Sequence, residues 1–283
     1  MAKAAKQGLF LGVQRMSDHE WRFRYPRLNG EVVQRFHAVL ELMDQGESGK
    51  VVGPLRRLVK EFPEFLDARH HLAIAIQRDP RMSFMATHEW RSAVRIGLDA
   101  LPPDFVMGRD LLEWGWLDNR PFLRAYHGLA LDCLAHGDTG EALAICHDLL
   151  DVNPNDNQGV RGLVVSCLFE RRRPAEVLVV CDRYPGDGMP ALLFGRVLAL
   201  FMLDRRDEAV AALAAAAEYS PLVAKELTKK THHAPRDQYP GFITVGGADE
   251  AFYYWREAGD FWKRTPGALE FVRETLGKKE AHV

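Results

Sequence analysis

A chain of 283 residues, 47% of them hydrophobic, has enough apolar mass to bury a sizeable core, which excludes a largely disordered protein. The 37 Lys and Arg against 39 Asp and Glu leave a formal charge of -2, so there is no global field to gather a polyanion and nucleic acid is disfavoured as a general partner. No run reaches the roughly 18 apolar residues of a spanning helix, and the opening "MAKAAKQGLFLGV" is too short for a secretory apolar region and lacks a cleavage site; the expectation is a soluble, cytoplasmic chain.

Residues 1–30 read as an N-terminal extension, and from 31 to 222 the pattern is one of helical pairs. The first, "VQRFHAVLELMDQGESGKVVGPLRRLVKEFPEF" (33–65), has Gly46 at its turn and Pro63 at its stop. "LDARHHLAIAI" opens a second, whose continuation "RDPRMSFMATHEWRSAVRIGLDALPPD" is irregular. A third runs over "AYHGLALDCLAHGDTGEALAICHDLLDVNPND" (125–156), a fourth over "NQGVRGLVVSCLFERRRPAEVLVVCDRYP" (157–185) and a fifth over "PALLFGRVLALFMLDRRDEAVAALAAAAEYSP" (190–221). Each of these three is an apolar helix, a short polar turn, a second helix opening on a glutamate, and a proline stop. The glutamates, Glu141, Glu176 and Glu208, lie 35 and 32 residues apart. Five pairs are expected, the second distorted.

The polar joint "NPNDNQG" between the third and fourth pairs is read as a stop and a restart. Pro154 ends one helix, and Asp156 or Asn157 can accept the orphan N–H groups of the next. A calcium loop fails there on spacing: with Asp151 first, position six is Asp156 instead of glycine and position twelve is Gly162 instead of glutamate. The four cysteines, Cys133, Cys146, Cys167 and Cys181, contain no C-x-x-C pair and read as reduced, buried thiols. His70 and His71 are adjacent on a helix and point about 100° apart, and "HEW" at 88–90 has Ser92 where H-E-x-x-H needs a second histidine, so no metal site is expected. His232 and His233 fall in a basic loop, "ERRRP" (170–174) reads as a solvated turn, and the tail "KKEAHV" as frayed. No nucleophile elbow or phosphate loop is present, so neither a catalytic residue nor a cofactor is assigned.

With Leu129-Ala130, Cys133, Gly137-Asp138, Glu141-Ala142, Cys146 and Pro154 at packing, turn and stop positions, the chain resembles the tetratricopeptide repeat family over residues 123–222. More narrowly, "DNRPFLRAYHGLA", "NPNDNQGVR" and "TPGALEFV" (together 118–272) look like an uncharacterised bacterial group of such proteins associated with suppressor-of-tumorigenicity-7 annotation, which has no assigned reaction. The resemblance implies an all-α, right-handed α-α superhelix whose first helices line a concave groove. Carried over position by position, the lining is Arg124, His127, Leu131 and Leu134; then Gly159, Gly162, Ser166 and Phe169; then Ala191, Phe194, Leu198 and Phe201. Only Arg124 could serve a carboxylate clamp. The groove is mostly apolar and needs a cover, either a partner or the chain itself.

After a connector (223–250), in which "GFITVGG" is read as the chain's one β-rich run and an extended link, comes a C-terminal helical segment and tail (251–283). Its stretch 251–271 places Phe252, Trp255 and Gly259 or Trp262 on one stripe, with Tyr253 and Tyr254 off it. This segment is expected either to fold back over Phe169, Phe194, Leu198 and Phe201 or to stack as one more pair. The leading function is a non-enzymatic protein-binding scaffold acting on a helical or extended peptide segment. The alternatives are an enzyme, or a subunit of one, with a site near His70, His88 and Glu89, and a helical-repeat binder of nucleic acid.

Overall fold

The computed structural model describes residues 11–79, 81–236 and 242–280. Most of the N-terminal run read for a leader, Gly241 of "GFITVGG" and the last three residues of the tail lie outside these. The chain forms two compact units, Met1–Val160 and Arg161–Val283, where one continuous array over 31–222 is expected.

The first unit opens with an antiparallel hairpin of β1 (Gly12–Arg15) and β2 (Trp21–Arg24). It continues with α1 (Gly30–Asp44), α2 (Ser48–Glu61), α3 (Leu66–Gln77), α4 (Ser83–Ala100), a short 3-10 turn at Leu117–Asn119, α5 (Arg120–Ala135) and α6 (Thr139–Val152). The second unit takes all but the first residue of α7 (Val160–Glu170), then α8 (Pro174–Arg183), α9 (Pro190–Met202), α10 (Arg206–Tyr219), α11 (Pro221–Thr228), α12 (Ala248–Arg264) and α13 (Ala268–Glu280). The fold is all-α apart from the hairpin, and α1 to α10 are the five expected pairs.

One hydrogen-bond device makes the pairs repeats. At the end of the first helix of four of them a residue adopts positive φ: Gly46 (78°), Gly137 (79°), Arg172 (56°) and Asp204 (58°). The next residue's N–H then reaches back to the carbonyl five positions earlier: Glu47 to Leu42, Asp138 to Cys133, Arg173 to Leu168, Arg205 to Leu200. This is the glycine-type helix stop, which satisfies carbonyls that the helix leaves orphaned. Among the described residues the second pair shows no such turn. Its irregular continuation nevertheless forms a regular 18-residue helix, α4, because Ala86, Trp90, Ala93, Val94 and Gly97 keep the helical period on the buried side. The irregular chain is instead the segment that follows, before α5.

That segment is stitched to the hairpin, which lies within the N-terminal extension expected over residues 1–30. The N–H of Leu111 donates to the carbonyl of His19 at 2.7 Å, and the N–H of Trp21 to the carbonyl of Leu111 at 2.9 Å. Asn119, fully buried, accepts the N–H of Phe23 (3.0 Å) and donates to the carbonyls of Trp21 and Glu113 (3.0 and 3.1 Å). In β2 the alternation is period two, with Trp21 and Phe23 buried and Arg24 exposed. The described residues of the run read as an extended link at 241–247 form no strand, while helix α11 occupies part of the expected connector.

At the joint, Asp156 is buried, takes φ 45°, and its carboxylate accepts the N–H of Val160 at 2.7 Å, at the first residue of α7. Asp156→Ala removes this acceptor and should cost about 1–2 kcal/mol, measured by urea unfolding. Asp156→Asn keeps an acceptor and tolerates the left-handed backbone, so it should stay close to the parent. Equal losses for both would mean that the cap is not what holds the joint.

Candidate functional site

In the first unit the first helices α3 and α5 lie side by side. Arg124 of α5 grips the carboxylate of Asp67 of α3 with two donors, at 3.2 and 2.6 Å. His71 donates through Nδ1 to the Asp67 carbonyl at 2.8 Å, since a carbonyl can only accept. His70 accepts at Nδ1 from the indole N–H of Trp90 at 3.1 Å, which places its own proton on Nε2. Gln158 donates to the Leu123 carbonyl at 3.3 Å and lies 3.4 Å from Nδ1 of His127. The result is a half-buried strip of Asp67, His70, His71, Arg124 and His127. Beyond it on α5, Leu131 is 46% exposed and Leu134 half-buried.

Burial disfavours the charged form of two histidines of the strip, His70 and His127. Burial, followed by the charges of His71, Arg124 and His127, pushes His70 down to about 3. Burial also lowers His127, against the opposing pull of Asp156. A depressed histidine makes folding pH-dependent with a definite sign: the unfolded ring takes up a proton near 6.5 and the folded ring only near 3, so stability falls as pH drops through that window. His70→Gln should flatten the dependence between pH 6.5 and 4 by up to about 1.4 kcal/mol per pH unit, read from urea unfolding at stepped pH. An unchanged slope would remove His70 from the account.

In the second unit the large apolar groove residues expected from sequence, Phe169, Phe194, Leu198 and Phe201, are all buried. Their cover is the chain itself. Phe261 and Tyr254 of α12 meet Phe169 of α7 and Phe194 of α9 at ring-centroid distances of 5.5 and 5.6 Å, and Phe271 of α13 meets Phe201 at 5.0 Å. Helix α12 thus lies across first helices of two successive pairs, with Arg264 closing on both carboxylate oxygens of Glu170 at 3.3 and 2.7 Å. It also packs along α11.

Tyr254 corrects the stripe drawn from sequence: it is buried, on the same face as Ala251, Trp255, Gly259 and Trp262, and accepts the indole N–H of Trp262 at 2.9 Å. Its place three residues after Ala251 puts it there, while Phe252 and Tyr253 are half-buried. Gly259 lets the Trp255 ring lie back along the helix, since a Cβ there would sit 2.9 Å from the indole.

The residues of the enzymatic alternative are not brought together as a set. His70 bonds Trp90, Glu89 pairs with Arg69 at 2.7 Å, and His88 is exposed. Among the described residues no three His, Cys, Asp or Glu side chains are placed to hold an ion. The four cysteines are buried, and burial raises the thiols of Cys133 to about 12 and of Cys167 and Cys181 to about 11, far from the thiolate that nucleophilic chemistry needs.

No protein-family model matches the chain, and no curated protein matches it. Among solved structures it is similar to a kinesin light chain-like protein of Podosopora anserina with nearly identical TPR-like repeats, at 14% identity and a TM-score of 0.46, over 71% of this chain and 98% of that one. A point variant of the same protein gives 14% identity and 0.46 over 69% and 97%. No helix among the described residues is long and apolar enough to cross a membrane.

Proposed function

We propose that the protein is a non-enzymatic binding scaffold and that it takes a protein or peptide partner on the first-helix face of its first unit, at Arg124, His127, Leu131 and Leu134. The observation that carries this reading is the difference in cover between the groove positions of the first unit and the large apolar ones of the second. Phe169, Phe194 and Phe201 are met by aromatic rings of the chain's own α12 and α13 and Leu198 is buried, whereas Leu131 is 46% exposed beside the polar strip of Asp67, His70, His71, Arg124 and His127. An exposed leucine next to half-buried donors offers an apolar anchor and directional contacts to one ligand. A helical partner would set its apolar side on Leu131 and Leu134 and a carbonyl or carboxylate against the Nε2–H of His70 or the guanidinium of Arg124.

The test is affinity purification from the native source with the parent chain, with Leu131→Asp and with Phe242→Asp, an exposed control in the second unit. A protein retained by the parent and the control but lost with Leu131→Asp is the expected result. The same set retained by all three would overturn this face as the partner site.

A further inference from the structure

We propose that a cleft in the second unit, formed by the segment after α11 together with α12 and α13, binds a small, multiply charged oxyanion of the phosphate class. It has a volume of about 670 Å³ and is lined by Lys229, Lys230, His232, His233, Lys263 and Arg273, with Trp255, Thr231 and Leu269 completing the wall. No carboxylate is among these lining residues. In a chain of net charge -2, four permanent cations brought to one opening from three elements are a local concentration that the overall balance does not supply.

The interior side of the cleft is organised by one buried acid. Glu226 of α11 is held out of solvent, pairs with the Lys229 ammonium through one oxygen and accepts from His232 Nδ1 at 2.8 Å through the other. This fixes the Lys229 and His232 side chains from behind. The His232 ring stacks on Trp255 with centroids 3.7 Å apart, and the Lys263 ammonium sits 4.9 Å from the same indole. Arg273 is aimed by the donation of its Nε to the Thr228 carbonyl at 3.2 Å.

The outer acids compete weakly. Asp260 holds Lys263 at 3.1 Å and Glu270 holds Arg273 at 3.6 Å, both in exposed pairs that contribute little and exchange readily for a better-placed anion. Lys230 has no ion-pair partner among the described residues. A phosphate group suits this set better than a single carboxylate. It carries more charge, and it offers several acceptor oxygens to donors that point in from different sides, including the arginine fork and the Thr231 hydroxyl. The cleft is also within the size range of small-ligand sites.

The test is calorimetric titration of the full chain with pyrophosphate, and separately with citrate, at fixed ionic strength. The expected result is saturable 1:1 binding of pyrophosphate. Lys230→Glu and, independently, Lys263→Gln should each weaken it by about tenfold, the scale of one charge-assisted contact. Lys225→Glu, on exposed α11 surface outside the cleft, should leave it unchanged. Both cleft lysines are exposed, so circular dichroism should show the fold retained. Absence of saturable binding, citrate binding as tightly as pyrophosphate, or an equal loss with Lys225→Glu would each overturn the proposal.

Discussion

Trp262→Ala should destabilise the second unit by about 3–5 kcal/mol, the cost of removing a fully buried aromatic from a core that cannot collapse around the gap. Trp262 is fully buried and its indole N–H is satisfied by Tyr254, so the substitution both opens a cavity and strands a buried hydroxyl. The same helix meets Phe169 and Phe194, and α13 after it meets Phe201. A chain ending at Pro240 should therefore bind a hydrophobic dye strongly and lose solubility, because three phenylalanines lose their ring partners together. Trp262→Phe should recover most of the stability of the point variant. A shortened chain that stays soluble and binds no dye would mean that α12 and α13 do not cover this face in solution.

Gly97→Ala should cost about 1–3 kcal/mol although it improves helix propensity by about 1 kcal/mol. The Phe122 ring lies on the glycine: a Cβ at residue 97 would fall 2.2 Å from Cδ2 and 2.6 Å from Cε2 of that ring. Phe122 cannot retreat, since it is fully buried with Phe23 at 5.3 Å and Tyr126 at 5.5 Å around it. The double variant Gly97→Ala with Phe122→Leu, set against each single change, separates steric conflict from any loss of helix quality. Coupling of less than about 0.5 kcal/mol in that cycle would show the contact to be unimportant.

The repeat was legible because each of its marks is local. Gly46 and Gly137 stand where backbone with positive φ is required, Pro154 follows the end of α6, and the apolar positions return at the helical period. Arg172 and Asp204 take the same left-handed turn without glycine, so their turns were visible only through their neighbours. The cap at Asp156 was legible for the same reason: its acceptor and its donor, the N–H of Val160, are four residues apart.

What was not legible involves partners far apart in the chain. The N-terminal hairpin is two strands of four residues, too short to declare itself by alternation; it is held by Asn119, almost a hundred residues on. The division into two units at Val160 likewise has no mark of its own, since the joint there carries the same stop and restart as the others.

By itself, then, the sequence determined the helical pairs, their stops and the apolar character of the first-helix positions, because propensity, turn chemistry and period act within a few residues. Which of those positions are open was decided only by tertiary structure. Phe169, Phe194 and Phe201 are equally apolar whether a partner or the chain's own α12 and α13 lies over them, and burial depends on what arrives from the far end of the chain. The strip of Asp67, His70, His71, Arg124 and His127 and the basic cleft of Lys230, Lys263 and Arg273 exist for the same reason: packing of helices distant in sequence set their charges side by side.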